Sequence, residues 1–243
     1  MDRLGYTAMS AASRSMMSLQ VQANNLANVN TPGFRADLEA AESAAVAGYG
    51  YDSRHLAVVR DNGVDMRPGT AMATGRSLDV AIQGDGLLAV EVDGGGEAYT
   101  RHGSLQVDAD MRLTVNGRPV LGENGPIMLP EYDSVSIGSD GVITVVPRGD
   151  FVIVEAGRIK LVDEPASNLV KRPDGLLATR NGEPAQDNDE VVLVSGHLES
   201  SNVSAIEQLV STMSLNRLFE AQVKMMKAAE DLSTAGNRMI RGG

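Results

Sequence analysis

Cysteine is absent from this chain, which excludes disulfides, thiolate nucleophiles and cysteine-bound metals. The absence also permits work in an oxidising compartment without mispairing. Tryptophan is absent too, and aromatic residues make up only 3% of the sequence. The usual anchors of small-molecule pockets are therefore scarce. No apolar run approaches the ~18 residues of a membrane span. The N-terminal segment has no continuous apolar stretch, because Ser10, Ser13, Arg14, Ser15 and Ser18 interrupt it. It does not read as a secretory signal, so any export is expected by a route without a cleaved signal of this type. Positive charge is in short supply: the net charge of −11 argues against nucleic acid, since phosphate binding needs clustered Lys and Arg.

That charge is unevenly spread. Residues 1–35 hold Arg3, Arg14 and Arg35 against Asp2, a net of +2. Residues 203–243 hold five basic and four acidic residues, a net of +1, which leaves −14 for the middle. The ends are near neutral and suited to burial in an assembly, while the acidic middle stays solvated. The length of 243 residues, 42% of them apolar, allows one large domain or two modest ones.

Both ends carry a helical seam. Met9, Ala12, Met16, Leu19, Ala23 and Leu26 are spaced alternately by three and four. Leu215, Leu218, Gln222, Met225, Ala229, Leu232, Gly236 and Met239 repeat that rhythm, with Phe219 and Met226 beside it. An average spacing of 3.5 is the heptad period of helices that pack along a seam. The pattern predicts helices over 3–28 and 203–240. The first ends before Pro32, because proline disfavours helical geometry at Thr31, and Asn30 and Gly33 suit turns. Ser200, Ser201 or Asn202 is placed to cap the second. Eight of the twelve methionines lie in the two terminal segments, Met1 included, which fits surfaces that meet more than one kind of neighbour. The polar or small seam positions Gln222 and Gly236 are read as places where another subunit completes the packing.

Between the helices the character changes twice. Residues 36–76 are poorly patterned and read as a linker or extended arm. From 77 to 199 short apolar runs recur: Leu78–Ile82, Leu87–Val92, Leu105–Val107, Leu113–Val115, Ser134–Ile137, Val142–Val146, Phe151–Val154, Arg158–Val162 and Val191–Val194. Many are separated by Asn-Gly or Asp-Gly, as at Asp93-Gly94, Asn116-Gly117 and Asp140-Gly141. Such dipeptides suit tight hairpins because those turns need positive φ. The prediction is a mainly antiparallel sandwich or irregular barrel.

Reactive constellations are weak. His55, His102 and His197 have no His or Cys neighbour at metal-ligand spacing, so no metal and no cofactor is expected. Asp108 and Asp110 resemble the start of a calcium loop, but Arg112 interrupts it. The glycine clusters at 84–86 and 94–96 lack the Gly-Lys-Ser/Thr ending of a phosphate loop. No Gly-x-Ser-x-Gly elbow occurs. The many carboxylates read as solvated acidic loops, and the enzymatic alternative is a secreted β-rich hydrolase with helical oligomerisation arms.

Four stretches carry a family resemblance. Residues 23–35, Ala-Asn-Asn-Leu-Ala-Asn-Val-Asn-Thr-Pro-Gly-Phe-Arg, resemble the N-terminal signature of flagellar rod and hook proteins. Residues 76–86 resemble that family's entry into its β-domain, and 99–108 its next strand pair. Residues 196–203, Gly-His-Leu-Glu-Ser-Ser-Asn-Val, resemble its lead into the C-terminal helix. They occur in family order over nearly the whole chain. The start of the chain, residues 219–226 and the length are similar to a proximal-rod member, with the distal-rod subunit as the close alternative. Departures are mild: Leu87-Leu88 stands where aromatics are common, Met111 where glycine is frequent, and His102 where Asn or Asp is.

The resemblance implies an α+β subunit. Residues 1–35 and 200–243 are expected as a coiled-coil layer, 36–76 as the linker, and 77–199 as a central β-domain outside that layer. It implies a structural role without catalysis, helical assembly that transmits torque, flagellar type III export and a place in the periplasmic rod. Implied partners are other rod subunits, copies of this chain and the export apparatus, with no nucleic acid and no membrane insertion. The expected assembly residues are the seam positions above, the signature residues Asn24, Asn25, Asn28, Asn30, Thr31, Pro32, Gly33 and Phe34, and Asn202 and Val203. Two helices sharing one stripe are marginal in water, so a free monomer is predicted to have a folded centre and poorly ordered ends. Limited trypsin digestion of a confirmed monomer should clip both termini first; protected termini would contradict this.

Overall fold

The computed structural model describes residues 2–45 and 55–241, with side chains described for 5–39 and 63–239. These residues form two compact units. The first takes in residues up to 27, 37–62 and from 204 onward; the second takes in 28–36 and 63–203.

In the first unit, helix α1 (Asp2–Ala27) packs on helix α2 (Ala205–Arg241). Strands β1 (Asp37–Ala45) and β2 (His55–Val64) pair with each other, the last two residues of β2 belonging to the second unit. The stretch expected as a linker or extended arm thus contains strands. Its sequence disguised them: Asp-Leu-Glu-Ala-Ala-Glu-Ser-Ala-Ala is rich in helix formers. Pairing with the next strand overrides that local preference. The part of the linker reading that falls on 46–54 lies outside the described residues. No helix among the described residues is long and apolar enough to cross a membrane.

The second unit is built from short strands: β3 (Ala71–Ala73), β4 (Val80–Gln83), β5 (Leu87–Val92), β6 (Gly96–Thr100), β7 (Leu105–Val107), β8 (Leu113–Val115), β9 (Arg118–Pro119), β10 (Leu121–Gly122) and β11 (Gly125–Pro126). They continue as β12 (Tyr132–Ile137), β13 (Val142–Pro147), β14 (Val154–Arg158), β15 (Leu161–Val162), β16 (Leu169–Lys171), β17 (Leu177–Thr179), β18 (Val192–Ser195) and β19 (His197–Glu199). The largest sheet runs β15-β5-β6-β17-β16, joined by three-stranded β12-β13-β14 and β7-β8-β9 and by the pairs β18-β4, β19-β3 and β10-β11. Every registered pairing is antiparallel.

Strand β5 explains why Leu87-Leu88 is accommodated. Successive side chains of a strand point to opposite faces. Leu88, Val90 and Val92 enter one apolar cluster with Leu105, Leu113, Ile143 and Leu161. Leu87 and Ala89 enter a second with Tyr99, Val162 and Leu169. A strand covered on both sides reads as a continuous apolar run, as this one does.

The turns follow their chemistry. Asn116-Gly117 is a two-residue hairpin loop closed by the pair Val115 and Arg118, with φ of +48° and +77°, the primed geometry that matches strand twist. Met111 takes a φ of +63°, which costs a side chain about 1 kcal/mol. Asp108 offsets this locally: its Oδ1 accepts the N–H groups of Asp110 and Arg112 at 2.9 and 2.8 Å. The calcium-like carboxylate is thus a turn brace. One expected strand is shorter than its sequence suggested. Of Phe151–Val154 only Val154 is in β14, because the facing strand β13 runs into Pro147, which has no N–H to offer.

Candidate assembly site

The helix pair keeps the heptad rhythm but sets it at a different angle from the apolar seam. On α2 the shielded positions include Leu215, Phe219, Gln222, Met226, Ala229, Ser233 and Gly236. On α1 they include Ala8, Ala12, Ser15, Leu19, Gln22 and Leu26. Every second position agrees with the sequence seam. The alternate column moves by one residue, so Met9, Met16 and Ala23 on α1 and Leu218, Met225, Leu232 and Met239 on α2 are exposed. The face turned to the chain's own partner helix mixes large apolar side chains, such as Leu19, Leu215 and Phe219, with small and polar ones. At its centre Ser15 donates its hydroxyl to Gln222 Oε1 at 3.0 Å, both residues buried. Gln222 is therefore satisfied within the chain, where the sequence had suggested completion by another subunit.

The signature residues divide between the two units. Within the first, Asn25 is buried and bonds Asp37 twice: its Nδ2 donates to the Asp37 carbonyl at 3.0 Å and its Oδ1 accepts the Asp37 N–H at 2.8 Å. Asn24 lies on the exposed side of the helix. Within the second, Asn28 starts a turn whose carbonyl accepts the Thr31 N–H at 3.1 Å, and its Oδ1 accepts the Thr31 hydroxyl at 3.1 Å. Asn30 is exposed and Pro32 half-buried. Phe34, Ala36 and Val203 form a small apolar cluster with Val29, and Lys171 Nζ sits 3.8 Å from the Phe34 ring centroid.

Asn202 ties that turn to the C-terminal lead. Its Oδ1 accepts the Ala36 N–H at 2.8 Å, and its Nδ2 donates to the carbonyls of Asp65 and Arg67 at 2.8 and 3.0 Å. One amide group thus holds three backbone points, which Ser or Asp at this position would not reproduce.

Beneath it lies a group that the sequence reading missed. The Glu199 carboxylate sits between two buried guanidiniums. Oε1 accepts from Arg35 Nη2 at 2.6 Å and from the Gly69 N–H at 2.7 Å. Oε2 lies 2.9 Å from Arg101 Nε. All three side chains are at most 3% exposed. Arg101 also donates Nη2 to the carbonyls of Ile82 and Gly84 at 3.1 and 2.6 Å. Burial pulls Arg101 below the ordinary arginine value, with the Glu199 charge opposing and Arg35 adding to the pull. The neighbouring His102 imidazole is likewise lowered by burial.

Backbone follows side chain here. The Glu199 carbonyl accepts the Gly33 N–H at 2.8 Å. Gly33 has φ +67°, and a Cβ there would lie 2.2 Å from the Arg101 carbonyl oxygen, so both conformation and space demand glycine. Lys171 Nζ donates to the Arg35 carbonyl at 2.8 Å. The signal that marks this site in a sequence is a charge held inside an otherwise apolar or turn-forming motif: Arg35, Arg101 and Glu199 each stand within one of the four resembling stretches.

Family models match three parts of the chain: "Flagella basal body rod protein" at residues 6–35, "Flagellar hook protein FlgE/F/G D1 domain" at 81–145, and "Flagellar basal body rod FlgEFG protein C-terminal" at 194–239. The chain is 40% identical to the flagellar basal-body rod protein FlgF of Escherichia coli (strain K12), across 99% of both chains. It is 38% identical to FlgF of Salmonella typhimurium, again across 99% of both. It is 31% identical to the flagellar basal-body rod protein FlgG of Bacillus subtilis, across 93% of this chain and 95% of that one.

Removing the Glu199 carboxylate strands two buried cations. Glu199→Ala should cost about 3–5 kcal/mol of stability by urea unfolding, with Glu199→Gln less severe. Glu131→Ala, which breaks an exposed pair with Arg148, should stay within about 0.5 kcal/mol. A loss below about 1 kcal/mol for Glu199→Ala would contradict the assignment.

Proposed function

The chain belongs to the flagellar basal-body rod protein family, and from that premise we propose how it serves as a structural subunit of the rod. The observation that carries the role is the match to rod proteins along the whole chain, with the family segments in order. Within the rod, the proximal segment is the reading favoured by similarity to relatives named FlgF. The distal-rod subunit is the alternative reading; relatives named FlgG match over a slightly smaller share than those named FlgF.

The helices supply the assembly chemistry. The chain's own pair uses one mixed face of large apolar, small and polar residues and leaves further Met and Leu columns exposed. Helices sharing a single stripe are marginal in water. Neighbouring subunits cover the exposed columns and extend the pair into a coiled-coil layer, with the signature turn at Asn24–Phe34 and the lead at Asn202–Val203 fixing the direction of each helix. Contacts between unlike faces, repeated without closure, build a helical rod. Such an assembly transmits torque because each subunit is held on several sides. Export by the flagellar type III route, to a rod crossing the periplasm, suits helical ends that gain their full packing only on assembly.

The test is genetic and structural. A strain lacking this chain should be non-motile, with basal bodies that lack a complete rod. Reintroducing the wild-type chain should restore motility, and the Leu218→Asp, Met225→Asp double variant should not, although its β-domain still folds. Normal flagellation of the deletion strain would overturn the reading.

A further inference from the structure

The second unit carries an apolar tip that its own fold does not use. The connection between β13 and β14 ends in Phe151-Val152-Ile153-Val154, and these side chains are 99%, 61%, 69% and 43% exposed. Single exposed apolar residues are ordinary, but four in succession are not. The chain has only three phenylalanines; Phe34 is buried and Phe219 half-buried, so Phe151 alone stands fully in solvent. Exposed acidic residues, Asp150 and Glu155, border the tip. The nearby cation Arg148 is paired with Glu131 at 3.5 Å.

We propose that this tip docks on the outer face of α2 in a second copy of the chain. The inference rests on the rod-subunit reading above. Leu218, Ala221, Met225, Ala228 and Leu232 recur at helical spacing and are all exposed. The alanines leave hollows between the larger side chains, of a kind that accepts an aromatic ring. Exposed Arg217, Lys224 and Asp231 border this stripe, an edge of net positive charge, opposite in sign to Asp150 and Glu155. Charge thus favours the helix over the β-domain of the second copy, because the middle of the chain carries −14 in total and repels its like. Tip and stripe are different surfaces, so the contact is heterologous and propagates rather than closing into a dimer. It gives the acidic second unit a hold on part of the α2 column that neighbouring subunits cover.

Photo-cross-linking tests the contact in the full-length chain. Phe151 is replaced by benzoylphenylalanine, and this protein is mixed with nitrogen-15-labelled wild-type copies at the highest concentration that stays soluble. The expected adduct joins position 151 to a labelled peptide from 217–232. Leu218→Asp with Met225→Asp in the labelled partner should lower its yield at least about tenfold, as loss of an anchoring pocket does. Adducts to β-domain peptides, adducts within one chain only, or no adduct between copies would each overturn the proposal. Motility separates this failure from failure of the rod role: a non-flagellated deletion strain keeps the rod reading whatever the cross-link shows.

Discussion

The buried carboxylate of Glu199 sets the conditions for the rest of the second unit. An ionised group is costly to take out of water unless it is paired and hydrogen-bonded. Here one carboxylate meets Arg35, Arg101 and the Gly69 N–H together. The three charged partners come from places far apart in the chain, so none of them is tolerable inside without the others. The carbonyl of the same residue holds Gly33, and Asn202 close by holds Ala36 and the carbonyls of Asp65 and Arg67. The turn after α1, the strand leading from β2 and the lead into α2 are therefore fixed by one polar cluster, which the strands of the β-domain could not provide by apolar packing alone.

The helices solve the opposite problem. A chain that assembles with other rod subunits keeps apolar surface free for them beyond what its own partner helix takes. The inward face mixes large apolar residues such as Leu19 and Phe219 with small and polar ones, Ser15 bonded to Gln222, and further Met and Leu columns face out. Methionine suits such a surface because its flexible side chain adapts to unlike neighbours.

How much of this the sequence disclosed depends on the range of the forces. The helices, their heptad period, the antiparallel character of the middle and the Asn-Gly hairpin were legible, because period and turn chemistry are local. The phase of the seam was not: on both helices two adjacent columns are apolar or small, and only packing chose Ser15 and Phe219 over Met16 and Leu218. Strand β1 was hidden by its alanines and glutamates, since pairing with β2 rather than local propensity makes it a strand. The signature residues at 28–34 were read correctly as a turn, but their anchor was not seen. Glu199 and Arg101 are one charge each in separate stretches, and nothing local says that they meet. The structure consequently assigns residues 28–36 and 63–203 to the unit that holds strands β3 to β19.

The central claim is that the signature turn is part of that folded unit through Glu199, rather than a loose extension of α1. Hydrogen exchange on the monomer reads this directly at the amides of Gly33, Ala36 and Gly69. The account predicts protection of all three at the level of core strand amides such as those of β5, even where α1 exchanges freely, because each is bonded to Glu199 or Asn202 inside the second unit. Exchange of these amides at the rate of an open loop, with β5 still protected, would contradict it.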